Sequence, residues 1–541
     1  MQMQFWKKLQ QSIGGYTRRD LFRAGGLLAA AQGLSGLGSR AAAEPLQLGS
    51  KMYESIGVRP VLNARGTFTI ITGSQTLPEV KKAMDEASRH YVQLDELMEG
   101  VGKRLAEITK AEWGIVTSGC CAALTHFTAA AIAGFNPERM QRLPDLTGLK
   151  DEVIIPAYSR NQYDHAIRML GVKVVEVRDM AALQAAAGDR TALIYILAGR
   201  GDDGPLGTKA VSDFAKTKNI PVIVDAAAEI LTIPNVHLER GATAVAYSGG
   251  KCIRGPQAAG LLLGEKSLLQ AAWINSAPHH AFGRSLKVGK EEIMGMLAAV
   301  EMWTKRDHKA EWREWEARLS AISARVTQIE GVTASIVQPG DGLSNRTPTL
   351  RVQWDGAKLG VTGQEVAKTL LDGEPRIVVA NASGNRPAMM ASSVSIVAYM
   401  MMPGEEKIVA ESINAVLSKP PKIETPPAST AQPVPVDGQW DVKLDFGRGS
   451  ATHTVLFEQD GAKLVGTHRG EFAAGDLNGA VNGNTVRFRS TLPSIGSRVS
   501  FDFSGTVEGN KLAGTVNLGE YGQANWTAQR HEYRSGGGRR G

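Results

Sequence analysis

The stretch "ATAVAYSGGKCIRGPQAAGLLLG", residues 242–264, sets Lys251 between an apolar run and a glycine-rich turn. Most lysines lie on solvated faces, and a surface loop is the plain reading of this one. Its flanks argue for more. "ATAVAY" (242–247) and "AAGLLLG" (258–264) are short continuous apolar runs, the pattern of strands buried on both faces. The same texture recurs upstream in "WGIVT" (113–117), "EVIIP" (152–156), "VKVVEV" (172–177), "ALIYIL" (192–197) and "IPVIVD" (220–225). Helical patterns such as "AALTHFTAAAIAG" and "TKAVSDFAKTKN" separate several of them. Alternation of this kind predicts an α/β region with a mainly parallel sheet covered on both faces.

Working outward, the chain divides by texture. Residues 44–110 read as an irregular arm followed by helices, with apolar positions at helical spacing that include Val80, Met84, Tyr91, Leu94, Leu97, Val101 and Leu105. The α/β region fills 111–329, and a smaller α+β region follows at 330–417. Residues 418–436 are rich enough in proline to form an extended linker. Beyond it, at 437–532, polar and apolar residues alternate between Asp-Gly, Asn-Gly and Gly-Asn turns. That pattern predicts a small antiparallel barrel or sandwich. The tail "RSGGGRRG" within 533–541 has a disordered composition.

With 541 residues, 43% hydrophobic and 21% charged, the composition is that of a multidomain globular protein. The net charge of +7 is largely local. Residues 1–43 hold six basic residues (Lys7, Lys8, Arg18, Arg19, Arg23, Arg40) and one acid, Asp20, so they carry +5 and the remainder only +2. No basic patch interleaved with aromatics stands out, which argues against a nucleic-acid partner. The first 43 residues resemble a twin-arginine export signal: Arg18-Arg19, a weakly apolar Gly/Ala/Leu run, then Ala41-Ala42-Ala43. That reading places the mature protein in the periplasm or outside the cell. The run is too short and glycine-rich for a stable membrane span. The three cysteines, Cys120, Cys121 and Cys252, lack metal-ligand spacing and read as small buried hydrophobes, and no metal is expected.

Three predicted strand ends carry polar groups, and open α/β sheets bind ligands at the carboxyl ends of their strands. In "VTSGCCAAL" a strand leads through Ser118 and Gly119 into a helix. Free N–H groups at Gly119, Cys120 and Cys121 would suit a phosphate there, while Ser118 alone would suit an N-cap. Asp225 closes "IPVIVDAAAE", where a carboxylate needs a cation or serves as an N-cap. Lys251 follows Ser248 and two glycines, and low-dielectric surroundings there favour the neutral, nucleophilic amine. Together, a phosphate cradle, a carboxylate for a ring cation and a nucleophilic lysine are what pyridoxal phosphate requires. The order of the three strand ends fits an aspartate-aminotransferase-like fold.

The segments "RPVLNARGTFTIITGSQTLPEV", "EWGIVTSGCCAALT", "RNQYDHAIRMLGVKVVEV", "PVIVDAAAE", "YSGGKCIRGPQAAGLLLG" and "LKVGKEEIMGMLAAVE" carry a family resemblance. They resemble the selenocysteine-synthase-like pyridoxal-phosphate enzymes of fold type I, and within them the D-glucosaminate-6-phosphate ammonia-lyase branch, over about residues 52–415. The resemblance implies that Lys251 is the Schiff-base lysine and Asp225 the partner of the pyridine nitrogen. It places Ser118, Gly119 and Cys120 at the phosphate loop, with Ser248 beside them and Tyr163 and His165 ("YDHA") next to the cofactor ring. Arg65, Arg200, Arg284 and Arg386 are candidates for a substrate carboxylate, as is Arg160. In enzymes of this fold the site forms between subunits, so a homodimer or larger assembly is expected, with the segment "LNARGTFTIITGS" reaching the partner. The activity implied is a lyase that abstracts an α-proton from an amino acid or amino sugar acid and releases ammonia and a keto acid. Transferase, racemase and aldolase chemistry would use the same residues. A non-catalytic binding protein is the reading from a different class, and the presence of both Asp225 and Lys251 argues against it.

Overall fold

The computed structural model describes residues 46–199, 201, 204–386, 390–422 and 431–532. The twin-arginine segment, Arg200, much of the proline-rich linker and the tail from 533 lie outside the described residues. Of the described residues, 46–61 form a small unit by themselves, with a 3-10 turn at Glu54–Ile56.

From Leu62 onward the chain supplies strand β1 (Leu62–Ala64), helices α1 (Pro78–Ser88) and α2 (Leu94–Thr109), and then a seven-stranded sheet. Its strands are β2 (Trp113–Thr117), β3 (Glu152–Pro156), β4 (Lys173–Val177), β5 (Thr191–Leu197), β6 (Val222–Asp225), β7 (Ala244–Ser248) and β8 (Gly260–Gly264). The order is β2-β8-β7-β6-β5-β3-β4, and only β8 runs against the others. Strands β2, β6 and β8 are buried at every residue, which explains their uninterrupted apolar runs. Helix α3 (Cys120–Ala133) is apolar on all sides and nearly all buried, with Ala-rich faces that pack closely on the sheet. Tyr91 departs from the predicted helical stripe. It falls in the break between α1 and α2 and is fully exposed.

Two long helices, α4 (Lys290–Lys305) and α5 (His308–Val326), lead to the small domain. There β9 (Val332–Val337), β10 (Thr349–Asp355), β12 (Ala382–Ser383) and β13 (Ala391–Val397) form an antiparallel sheet in the order β12-β13-β10-β9. Strand β11 (Ile377–Val379) pairs in parallel with β1, so the arm is stitched into this domain. Helices α6 (Gly363–Asp372) and α7 (Glu405–Ser418) complete it.

The C-terminal region is a closed barrel of eight antiparallel strands, β14 (Gly438–Asp445), β15 (Ser450–Asp460), β16 (Lys463–Arg469), β17 (Ala474–Asn482), β18 (Thr485–Ser494), β19 (Ser497–Glu508), β20 (Lys511–Asn517) and β21 (Gln523–Arg530). Closure removes both sheet edges. Trp440, Trp526, Phe488 and Phe503 fill the interior, and one polar chain runs among them. His453 Nδ1 lies 2.8 Å from His468 Nε2, and His468 Nδ1 lies 2.5 Å from Ser490 Oγ, all three residues being buried.

Burial, and secondarily His453, pushes the His468 imidazole down to about 3. A folded-state value below the unfolded one gives stability that is present above pH ~6.5 and lost as pH falls toward about 3, on the order of a few kcal/mol in all. Unfolding followed by tryptophan fluorescence should therefore show a barrel that weakens on acidification from pH 7 to 4. The His468→Gln variant should lose much of that pH dependence; an identical pH profile would refute the assignment.

Candidate active site

Strands β2, β6 and β7 run the same way, so their carboxyl ends open on one edge of the sheet. At the end of β2, Gly119 caps α3 with φ 89°, a conformation that favours glycine. The Ser118 hydroxyl donates to the Leu286 carbonyl at 2.8 Å and does not cap the helix. The first amides of α3, at Cys120, Cys121 and Ala122, have no carbonyl one turn back to bond, and the helix dipole adds positive potential at that end. Strand β8 crosses close behind. A Cβ at Gly260 would lie 2.4 Å from the Gly119 carbonyl carbon and 2.7 Å from the Cys120 nitrogen. Gly260→Ala should therefore displace this turn at a cost of about 1–3 kcal/mol. Chemical unfolding and phosphate affinity would both register it; wild-type values for the two would show that the turn yields freely.

Asp225 ends β6 and is only 3% exposed. Three donors hold its carboxylate: the Ala227 N–H at 3.1 Å and the Cys120 thiol at 3.5 Å on Oδ1, and the Tyr195 hydroxyl at 3.0 Å on Oδ2. A carboxylate offers about four acceptor positions, so one remains open, on Oδ2. Burial raises the Asp225 carboxyl above the usual carboxylate range, against the lowering effect of its donors and of Lys251. Tyr195 is fully buried on β5, and its hydroxyl also accepts from Asn161 Nδ2 at 3.0 Å. A chain of contacts thus runs from the loop at 161–165 to the carboxylate.

Lys251 is half-buried in the turn after β7. That turn is held by backbone bonds from Gly249 N–H to the Ala259 carbonyl and from Gly255 N–H to the Gly249 carbonyl, 2.8 and 2.9 Å. Cβ atoms at Gly249 and Gly250 would strike Pro256, Ala259 and Gln257 at under 3 Å. The lysine ammonium lies close enough to Asp225, Cys120 and Cys121 to favour their ionised forms. The arm segment expected to reach a partner lies against its own chain's lysine turn, with Ser74 N–H donating to the Gly250 carbonyl at 2.9 Å.

The remaining candidates divide. Ser248 ends β7 opposite Gly260, and its N–H donates to the Ala227 carbonyl at 3.3 Å. Tyr163 and His165 are exposed on the loop that Asn161 ties to Tyr195. Arg65 stacks its guanidinium 4.1 Å over the Phe68 ring. Arg160 pairs with the buried Asp164 at 2.7 Å, as does Arg168. Arg386 is engaged by Glu365 and the Gly360 carbonyl in the small domain. Arg284 is exposed on the loop after the sheet. Cys121, read as buried, is exposed, whereas Cys120 is buried and serves Asp225. Sequence reasoning missed Tyr195, Asn161 and the role of the Cys120 thiol. Tyr195 sits inside an apolar strand run, where nothing marks a functional hydroxyl.

The donor set fits pyridoxal phosphate: free helix-start amides for the phosphate, one open acceptor on a buried carboxylate for a ring N–H, and a lysine beside both. Fold and site define a pyridoxal-phosphate enzyme of fold type I. No family model matches the chain. It is 30% identical over 336 residues to D-glucosaminate-6-phosphate ammonia lyase of Salmonella typhimurium, covering 60% of this chain and 87% of that protein. It is also 30% identical over 344 residues to a Streptomyces 5'-C-glycyluridine monooxygenase-decarboxylase, covering 60% of this chain and 83% of that one. A solved D-glucosaminate-6-phosphate ammonia-lyase superposes with a TM-score of 0.60 at 26% identity, over 68% of this chain and 98% of the other. The chain belongs to the family of D-glucosaminate-6-phosphate ammonia-lyase.

Proposed function

We propose that the protein is a pyridoxal-phosphate-dependent lyase acting on an amino acid or amino sugar acid. The observation that carries this reading is the buried Asp225 carboxylate, with one open acceptor position and Lys251 within electrostatic reach. Pyridoxal phosphate, when bound, supplies an electron sink for a substrate carbanion. In this reading the α3 amides would hold the phosphate, and Asp225, oriented by Tyr195 and Cys120, would accept from the ring N–H. The Lys251 amine would hold the cofactor aldehyde and, once free, would serve as the general base for the substrate α-proton. The proton held on Lys251 would then pass to a β-hydroxyl leaving with its bonding pair as water, and addition of one water to the released enamine would give ammonia and a keto acid. The ammonia-lyase relative supports that outcome.

Equal identity to a relative named as a monooxygenase-decarboxylase favours a second reading, oxidative decarboxylation on the same residues. An ammonia-release assay across amino acids and amino sugar acids, run beside an oxygen electrode, separates the two. Ammonia without oxygen uptake supports the lyase; oxygen uptake with carbon dioxide release overturns it.

Two further proposals concern setting. Exposed Ile70 and Tyr91, near the arm and the α1–α2 break, support a homo-oligomer, which light scattering tests. Arg18 and Arg19 support twin-arginine export, and their replacement by lysine should retain precursor in the cytoplasm.

A further inference from the structure

A cavity of about 530 Å³ opens beside the site. It touches Ala228, three residues beyond Asp225, and Cys252, the neighbour of Lys251. Its walls are aromatic, with Trp303, Trp312 and Trp315 from α4 and α5 and Tyr399 from the small domain. Trp312 and Trp315 lie 5.8 Å apart by ring centroids, and Trp315 and Tyr399 again 5.8 Å. The polar atoms of three of these rings are engaged within the protein. Trp303 Nε1 donates to the Leu231 carbonyl at 2.8 Å, Trp312 Nε1 to Glu316 at 3.2 Å, and the Tyr399 hydroxyl lies 2.7 Å from Thr67 Oγ1. Arg306 is likewise fixed by Glu311 and the Cys252 carbonyl. What the cleft presents is mostly apolar side chains and ring faces, with Lys309 and Arg346 as further cations in its lining. Arg346 lines the cavity and is exposed, and the adjacent Asn345 N–H is tied to the Ala228 carbonyl at 2.8 Å.

We infer that this cleft is the substrate pocket and that it selects an α-amino acid carrying a flat ring. The ring stacks among Trp312, Trp315 and Tyr399, the acidic group meets Arg346, and the amino group turns toward Lys251. This rests on the reading of Lys251 as the reactive amine. A linear polyhydroxy chain would bury most of its hydroxyls against apolar faces that offer few partners, which is unfavourable. A flat ring gains offset or edge-to-face contact at the 4.5–7 Å centroid spacing that aromatic pairs favour.

Calorimetry with the cofactor-loaded protein and with Lys251→Ala, using phenylalanine, norleucine and glucosaminate as probes, tests the inference. Phenylalanine should bind about fivefold or more tighter than norleucine, with glucosaminate weakest. Trp315→Ala should remove that preference and Trp315→Phe should keep it, in proteins whose thermal melts match wild type. Trp312→Ala serves as the second variant should Trp315→Ala fail to fold. Equal affinity for phenylalanine and norleucine, or a preference that survives loss of the indole, overturns the pocket. The cofactor reading fails separately: if the wild type shows no cofactor absorbance near the visible edge, Lys251 is not the reactive amine, whatever the probe affinities.

Discussion

The Lys251→Ala protein is expected to fold as wild type and to lose turnover by at least about 10³-fold, the scale of removing both a nucleophile and a general base. The turn that carries Lys251 is held by its glycines and by backbone hydrogen bonds, none of which needs the lysine side chain. The loss should therefore be chemical and not structural. Borohydride treatment of the wild type should fix a pyridoxyl group on Lys251, found by peptide mapping, and the variant should incorporate none. An adduct on another lysine, or undiminished turnover by the variant, would remove Lys251 from the centre of the site.

Asp225→Asn should have an effect of opposite sign on the loaded and unloaded proteins. An asparagine amide nitrogen cannot accept from Tyr195 or Cys120, and its oxygen alone cannot replace both carboxylate faces. Turnover should fall by roughly 10²–10⁴-fold, the range for a lost proton-transfer or electrostatic group. Stability behaves differently. The folded-state pKa of Asp225 is raised by burial above the unfolded value, so its contribution is full below the unfolded pKa and is lost as pH rises through the folded one. At neutral pH the cofactor-free protein carries that penalty and the asparagine variant does not. Without cofactor, the variant should melt higher than wild type at pH 8 and show little gain at pH 4. With cofactor bound, the ring cation compensates the carboxylate, and wild type should melt higher. A variant that is less stable without cofactor at pH 8 would show that the carboxylate is already compensated by the protein.

Much of the architecture follows from local signals. Buried strands carry unbroken apolar runs because both faces are covered, so β2 and β3 coincide with the runs quoted from the sequence. Barrel strands alternate because one face is wet, and their turns carry Asp-Gly and Asn-Gly pairs. Lys251 and Asp225 stood out for a related reason: a charged side chain at the end of an apolar run is conspicuous in one dimension. Tyr91 shows the limit of periodicity, since a helical stripe gives no sign of where the helix breaks.

What the fold alone decided depends on contacts between residues far apart in the chain. Cys120 and Tyr195 meet Asp225 across 105 and 30 residues, and only the strand order β7-β6-β5, with α3 laid over it, brings those donors together. Arg386 and Glu365 show the converse, since an arginine that suits a carboxylate substrate equally suits a carboxylate of its own domain, and only packing chooses. The choice between barrel and sandwich was likewise tertiary, because alternation fixes which side chains face inward but not whether β14 finds β21. The aromatic cleft has no signature in sequence. Helical spacing alone gives the tryptophans of α5 no partners, and it is the approach of Tyr399 and Cys252 from other elements that makes them the walls of a cavity.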